Sequence, residues 1–138
     1  MDTIVDTDAL VGLFNTRDAH NKEASRIFEE LNKRGVTTLI LPTTLSEFAA
    51  LFADDVGMKE AHEATDKIID FGISIIEISE DLTMQAIAMY FKQGSRKESL
   101  FDCFIMAAAK KLGITHIFSF DKGYRKEKNG FSLISDFL

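Results

Sequence analysis

The stretch from Leu100 to Asp121, LFDCFIMAAAKKLGITHIFSFD, decides the fold. Its first half, Leu100 to Leu112, reads as an apolar helix, and Gly113 supplies the residue type that closes helices in a left-handed turn. Its second half, His116 to Phe120, is a short apolar strand that runs into an acid, Asp121. A helix feeding a strand is half of a parallel crossover, so the rest of the chain should repeat the alternation.

The flanking segments do repeat it. Thr3-Ile4-Val5 reads as a first buried strand leading into Asp6, and Ala9 to Phe14 as a short helix. Asp18 to Lys33 is a clearer amphipathic helix, with Ala24, Ile27, Phe28 and Leu31 at three- and four-residue steps, ended by Gly35. Val36 to Leu41 is a second strand broken by Pro42, and Thr44 to Phe52 a third helix. A helix from Lys59 to Phe71, closed by Gly72, precedes a strand from Ile73 to Ile78 and a helix from Asp81 to Lys92. Phe131 to Ile134 is a short fifth strand. The strands are apolar runs without strict alternation, as in sheets covered on both faces. The expected fold is α/β: one domain over residues 1–138, a three-layer α/β/α sandwich on a central, mostly parallel sheet of about five strands.

At 138 residues and 46% hydrophobic content, such a domain can bury a proper core without disulfides or structural zinc. The single cysteine, Cys103, excludes an internal disulfide, and its place on an apolar helix reads as packing. His20, His62 and His116 show no ligand spacing. No apolar run approaches the ~18 residues of a membrane span and the start is not a signal peptide, so a soluble cytoplasmic protein is expected. The formal charge of -6 argues against charge-driven nucleic-acid binding over the whole surface. Local basic clusters remain: Lys122, Arg125, Lys126 and Lys128, and the pair Arg96 and Lys97. They are either solvated surface or a groove for phosphates beside the acids.

In a parallel α/β sheet, functional residues collect at the carboxyl edge. Asp6 lies where the first strand ends, and Asp121 follows the fourth. Glu47 falls in the first turn of the helix after strand two, and Asp102 in the first turn of the helix feeding strand four. All four are therefore expected on one rim. Each also has a plainer reading. Thr44 to Glu47 and Ser99 to Asp102 both fit capping boxes, Asp121-Lys122-Gly123 fits a turn, and Asp8 fits the N-cap of a helix at Ala9. Asp54, Asp55, Glu29 and Glu30 read as solvated acids, and the phenylalanines as core. Asp6 is hardest to explain structurally, because an acid ending a buried strand loses hydration unless something pairs with it.

Four segments together resemble the PIN-domain family, particularly its VapC-type toxin nucleases. Ile4 to Leu10 is similar to the family's opening strand and its Asp-Ser/Thr turn. Thr44 to Phe48 resembles the helix that carries the second acid, Phe101 to Ala109 the Asp-x-x-Ile-x-Ala-x-Ala helix, and Gly113 to Asp121 the strand ending in Thr/Ser-x-Asp. The order and intervals agree over nearly the whole chain. Two positions depart: Asp8 stands where Asn or Ser is common, adding a fifth acid, and Ser119 stands where Thr is frequent.

The resemblance implies an endoribonuclease that hydrolyses RNA with Mg²⁺ or Mn²⁺, hard cations suited to an all-oxygen site. Asp6, Glu47, Asp102 and Asp121 would be the catalytic and metal-binding acids, with Asp8 a further ligand. Ser119 and Thr7 would orient them, and Arg96, Lys97, Lys122, Arg125 and Lys126 would face the RNA. It also implies a type II toxin whose partner antitoxin covers the metal rim, and a homodimer. The alternative within the family is an RNA-processing nuclease without an antitoxin. Outside it, Asp6-Thr7-Asp8 resembles the start of haloacid-dehalogenase-type phosphatases, but Leu10 and the missing later motifs disagree. A phospho-receiver would need an acid after strand three, where Ile76-Glu77-Ile78-Ser79 offers no Asp.

Overall fold

The structure is a computed structural model that describes residues 2–93, 98–125 and 129–138. Among the described residues, five strands form one sheet: β1 (Asp2–Val5), β2 (Thr37–Ile40), β3 (Ser74–Ile75), β4 (His116–Phe118) and β5 (Ser132–Leu133). Their spatial order is β3-β2-β1-β4-β5 and every pairing is parallel, with Ile4 opposite both Leu39 and Ile117. Six α-helices among the described residues connect them: α1 (Thr7–Phe14), α2 (Asn21–Lys33), α3 (Pro42–Asp55), α4 (Met58–Asp70), α5 (Glu80–Phe91) and α6 (Leu100–Leu112).

The two-residue period of the strands sorts the core into two halves. Ile4, Leu39, Leu41, Ile117 and Leu133 pack with α5 and α6 through Leu82, Ala86, Cys103 and Ala107. Val5, Ile40, Phe118 and Ile134 pack on the other side with Leu10, Ile27, Phe48 and Ile68 from α1 to α4. These are the three layers expected. Truncating a fully buried residue of either half, such as Ile4 or Phe48, costs about 2–5 kcal/mol.

Several boundaries differ from the sequence reading. The strand expected over Ile73 to Ile78 pairs only at Ser74–Ile75, and both residues are exposed, because β3 is a sheet edge. The fourth strand stops at Phe118, before Ser119 and Phe120. The second helix starts at Asn21 rather than Asp18. Gly113, at φ 69°, ends α6 in the left-handed conformation and turns the chain into β4. No helix among the described residues is long and apolar enough to cross a membrane.

Candidate metal centre

Asp6 leaves β1 while still tied to the sheet: its N–H donates to Phe118 O at 2.9 Å. Its own carboxylate caps α1, with Oδ1 accepting from Thr7 N at 2.8 Å. This corrects the expectation for Asp8. The helix begins at Thr7, not Ala9, so Asp6 is the N-cap and Asp8 lies inside the first turn. Freed from capping, Asp8 turns toward the end of β4. There its Oδ2 accepts from Phe120 N at 3.0 Å, and Ser119 Oγ stands 3.1 Å from its Oδ1.

Glu47 is also released from its structural reading. Pro42 takes the first helical position, where a missing N–H costs nothing, and Leu41 is an N-cap without a side-chain bond. The expected Thr44–Glu47 capping box therefore does not form, and Glu47 sits a turn further along α3. The Thr7 hydroxyl donates to its Oε1.

Asp102 keeps both readings at once. Ser99 Oγ accepts from Asp102 N at 3.2 Å, and Asp102 Oδ2 accepts from Ser99 N at 3.0 Å, which completes the capping box. The other oxygen, Oδ1, faces the hydroxyl of Tyr124 at 3.1 Å. Tyr124, in the 3-10 turn Lys122–Arg125, is buried and lies 3.2 Å from Asp6 Oδ2 as well. Sequence reasoning missed this residue, because a lone tyrosine in a basic loop carries no periodic or motif signal.

Ser119 and Asp121 close the arrangement. The Ser119 hydroxyl is fully buried, 2.9 Å from Asp6 Oδ2, and accepts from Asp121 N at 3.0 Å. Asp121 makes the turn that its sequence suggests, its Oδ1 accepting from Gly123 N at 2.8 Å, while standing exposed at the rim.

Asp6, Asp8, Glu47, Asp102 and Asp121 all line one open cleft of 360 Å³, together with Thr7, Asp18, Asp55 and His20. Asp55, read from sequence as solvated, is thus exposed but part of the acidic rim. No lysine or arginine among the described residues lines this cleft. A larger depression of 430 Å³ between the α1–α2 loop and α4 has Asp55, Glu60 and Glu63 offset by Arg17 and Lys67, and lacks a buried acid. Chemistry, not size, marks the acidic cleft.

Burial, reinforced by the charges of Asp8 and Asp102, pushes the Asp6 carboxyl up to about 8, against the hydrogen bonds from Thr7 and Ser119. Asp8 is raised as well, first by burial. The Tyr124 hydroxyl is pushed far up by burial and the two adjacent carboxylates, so it stays a proton donor. Among the described residues, no three His, Cys, Asp or Glu side chains are already drawn up as a coordination set. The hydroxyls of Ser119 and Tyr124 bridge pairs of acids instead, and that of Thr7 holds Glu47. This donor set still fits a hard divalent cation: it is all oxygen, it carries excess negative charge, and its most buried acid gives up its proton only reluctantly without one.

The proposed RNA-facing cations fare unevenly. Arg125 pairs with Asp136, Nε to Oδ2 at 2.9 Å, so it is not a free phosphate contact. Lys122 is exposed beside Asp121. Arg96, Lys97 and Lys126 lie outside the described residues.

By sequence, no curated protein matches the chain. Solved structures do match by fold. The VapC20 sarcin-ricin loop cleaving toxin of Mycobacterium tuberculosis aligns at TM-score 0.83 and 22% identity, covering 94% of this chain and 96% of that one. VapBC2 of Rickettsia felis, solved with a DNA fragment from its promoter, aligns at 0.74 and 16%, covering 96% and 97%. VapBC-1 of nontypeable Haemophilus influenzae aligns at 0.69 and 13%, covering 96% of each chain. The PIN domain model matches residues 3–128, which include all five acids, Ser119 and Tyr124, and the chain belongs to the PIN-domain family.

Proposed function

We propose that this protein is a divalent-metal-dependent endoribonuclease, and that it acts as the toxin of a type II toxin–antitoxin pair in the cytoplasm. The observation that carries the chemistry is the convergence of Asp6, Asp8, Glu47, Asp102 and Asp121, from four separate parts of the chain, on one cleft. The toxin role rests on likeness: one similar structure is a toxin that cleaves the sarcin-ricin loop, and two others are VapBC assemblies.

Asp6 and Asp102 would hold Mg²⁺ or Mn²⁺ directly, with Asp8, Glu47 and Asp121 ligating or acting through water. The bound cation supplies a lowered pKa for the attacking water and charge neutralisation at the phosphodiester. Thr7, Ser119 and Tyr124 orient the carboxylates by the hydroxyl contacts described above. An antitoxin would inhibit by covering this rim, and homodimerisation is the expected assembly.

Labelled RNA with Mg²⁺ or Mn²⁺ tests the reading. Cleavage should vanish in excess chelator and in Asp102→Asn; cleavage that persists in either overturns it. For the toxin role, overexpression should arrest growth, and co-expression of a small adjacent reading frame should relieve it. Harmless overexpression with intact RNA cleavage would instead favour an RNA-processing nuclease.

A further inference from the structure

The acidic cleft has one aromatic wall. His20, the residue before α2, stacks face to face on Phe120, with ring centroids 4.1 Å apart and planes only 3° from parallel. Phe120 is half-buried and braced from below by the edge of Phe118, at 6.2 Å and 74°. His20 itself is exposed and lines the cleft, and its imidazole is not used to cap α2. Its position is fixed by its neighbours instead. Asp18 Oδ2 accepts from His20 N at 2.9 Å, and Gly12 lets the α1 backbone approach, since a Cβ there would stand 3.0 Å from Ala24 Cβ and 3.5 Å from His20 Cβ.

Phe120 also belongs to the acid cluster. It lies between Ser119 and Asp121, and its N–H holds Asp8. The stack is therefore built into the segment that orders the acids, and His20 lines the same cleft as they do. A cleft lined by acids has little electrostatic attraction for RNA beyond that of a bound cation. Stacking is a contact that negative charge does not oppose, and every base offers a π-face for it. A base inside a duplex has both faces covered, so the platform selects an unpaired one.

We infer that His20, backed by Phe120, is a stacking platform for an unpaired nucleobase adjacent to the scissile phosphate, and so a specificity-determining residue for single-stranded or loop RNA. This rests on the ribonuclease reading of the same cleft. It concerns base recognition, not metal binding.

The test uses the whole protein with Ca²⁺ in place of Mg²⁺ and a short single-stranded RNA carrying a fluorescent purine analogue, whose emission is quenched by stacking. His20→Ala should weaken binding by roughly tenfold and abolish the quenching, while His20→Tyr restores both. In Mg²⁺, His20→Ala should raise KM by a similar factor and change kcat little, and wild type should discriminate against an RNA with an abasic site next to the cut. Binding, quenching and KM unchanged in His20→Ala overturn the inference while leaving the nuclease reading intact. Absence of both RNA binding and RNA cleavage in the wild-type protein overturns the two together.

Discussion

The phenol of Tyr124 stands 3.1 Å from Oδ1 of Asp102, although one lies in the turn after β4 and the other at the start of α6. That contact joins two segments that each approach the carboxyl edge separately. The same hydroxyl is 3.2 Å from Asp6, yet it has one proton to give. At any moment it serves one carboxylate, and the other must find its donor elsewhere or keep its own proton. Tyr124 therefore sets the spacing of Asp6 and Asp102 without neutralising them.

Tyr124→Phe keeps the buried ring and removes only that hydroxyl. Folding stability in chelator should change by about 1 kcal/mol or less, the net worth of one hydrogen bond. Mn²⁺ affinity, measured by calorimetric titration, should fall on the order of 10-fold, as when a metal ligand loses its orienting partner. Wild-type affinity in this variant would show that Asp6 and Asp102 are positioned by the backbone alone.

Asp102 offers a way to separate capping from chemistry. Asn at this position retains an oxygen to accept from Ser99 N, so Asp102→Asn should unfold within about 0.5 kcal/mol of wild type. Asp102→Ala loses the capping box and should cost about 1 kcal/mol. Both should abolish metal-dependent cleavage. If urea unfolding and RNA cleavage rank the two variants alike, capping and catalysis are not separable at this residue.

The layers and the rim were legible because they rest on periodicity: Ile4 against Val5 and Ile117 against Phe118 announce a sheet covered on both faces. Local starts were harder. Pro42 read as a strand breaker, yet it is also the ideal first residue of α3, and that choice moves Glu47 out of the cap. Asp8 read as a cap because Ala9 looks like the first good helix former. The tie from Asp6 N to Phe118 O anchors the chain one residue before Thr7, and the helix starts there. Tyr124 and His20 were illegible because their partners, Asp6 and Asp102 for one and Phe120 for the other, are distant in sequence.

The raised carboxyl of Asp6 gives the metal-free protein a distinctive pH dependence. Unfolded, this acid releases its proton near pH ~4; folded, it holds it up to about 8. Between those values the native state binds more protons, so this contribution is fully present below pH ~4 and is lost as pH rises toward about 8. Asp8, shifted the same way, adds to the trend. Urea unfolding in chelator should show stability declining across that window, with a shallower decline in Asp6→Asn. Stabilisation by Mg²⁺ should grow over the same range, because the cation competes with the proton. Rising stability with pH in chelator would contradict the assignment.

Ser119 touches three of the five acids of the site. Its buried hydroxyl reaches Asp6 at 2.9 Å and Asp8 at 3.1 Å, and accepts from Asp121 N at 3.0 Å. In Ser119→Ala the Asp121 N–H loses that acceptor, and two crowded carboxyls lose their shared donor. The cost to folding should be about 1–3 kcal/mol, because partly buried polar groups are left unmatched. Cation affinity should fall by roughly 10- to 100-fold, since three acids lose their common tether. Urea unfolding and Mn²⁺ titration measure the two effects independently. A variant that is destabilised but binds Mn²⁺ as tightly as wild type would make Ser119 a structural strut; loss of affinity beyond the loss of stability makes it the residue that holds the acids in register for the cation.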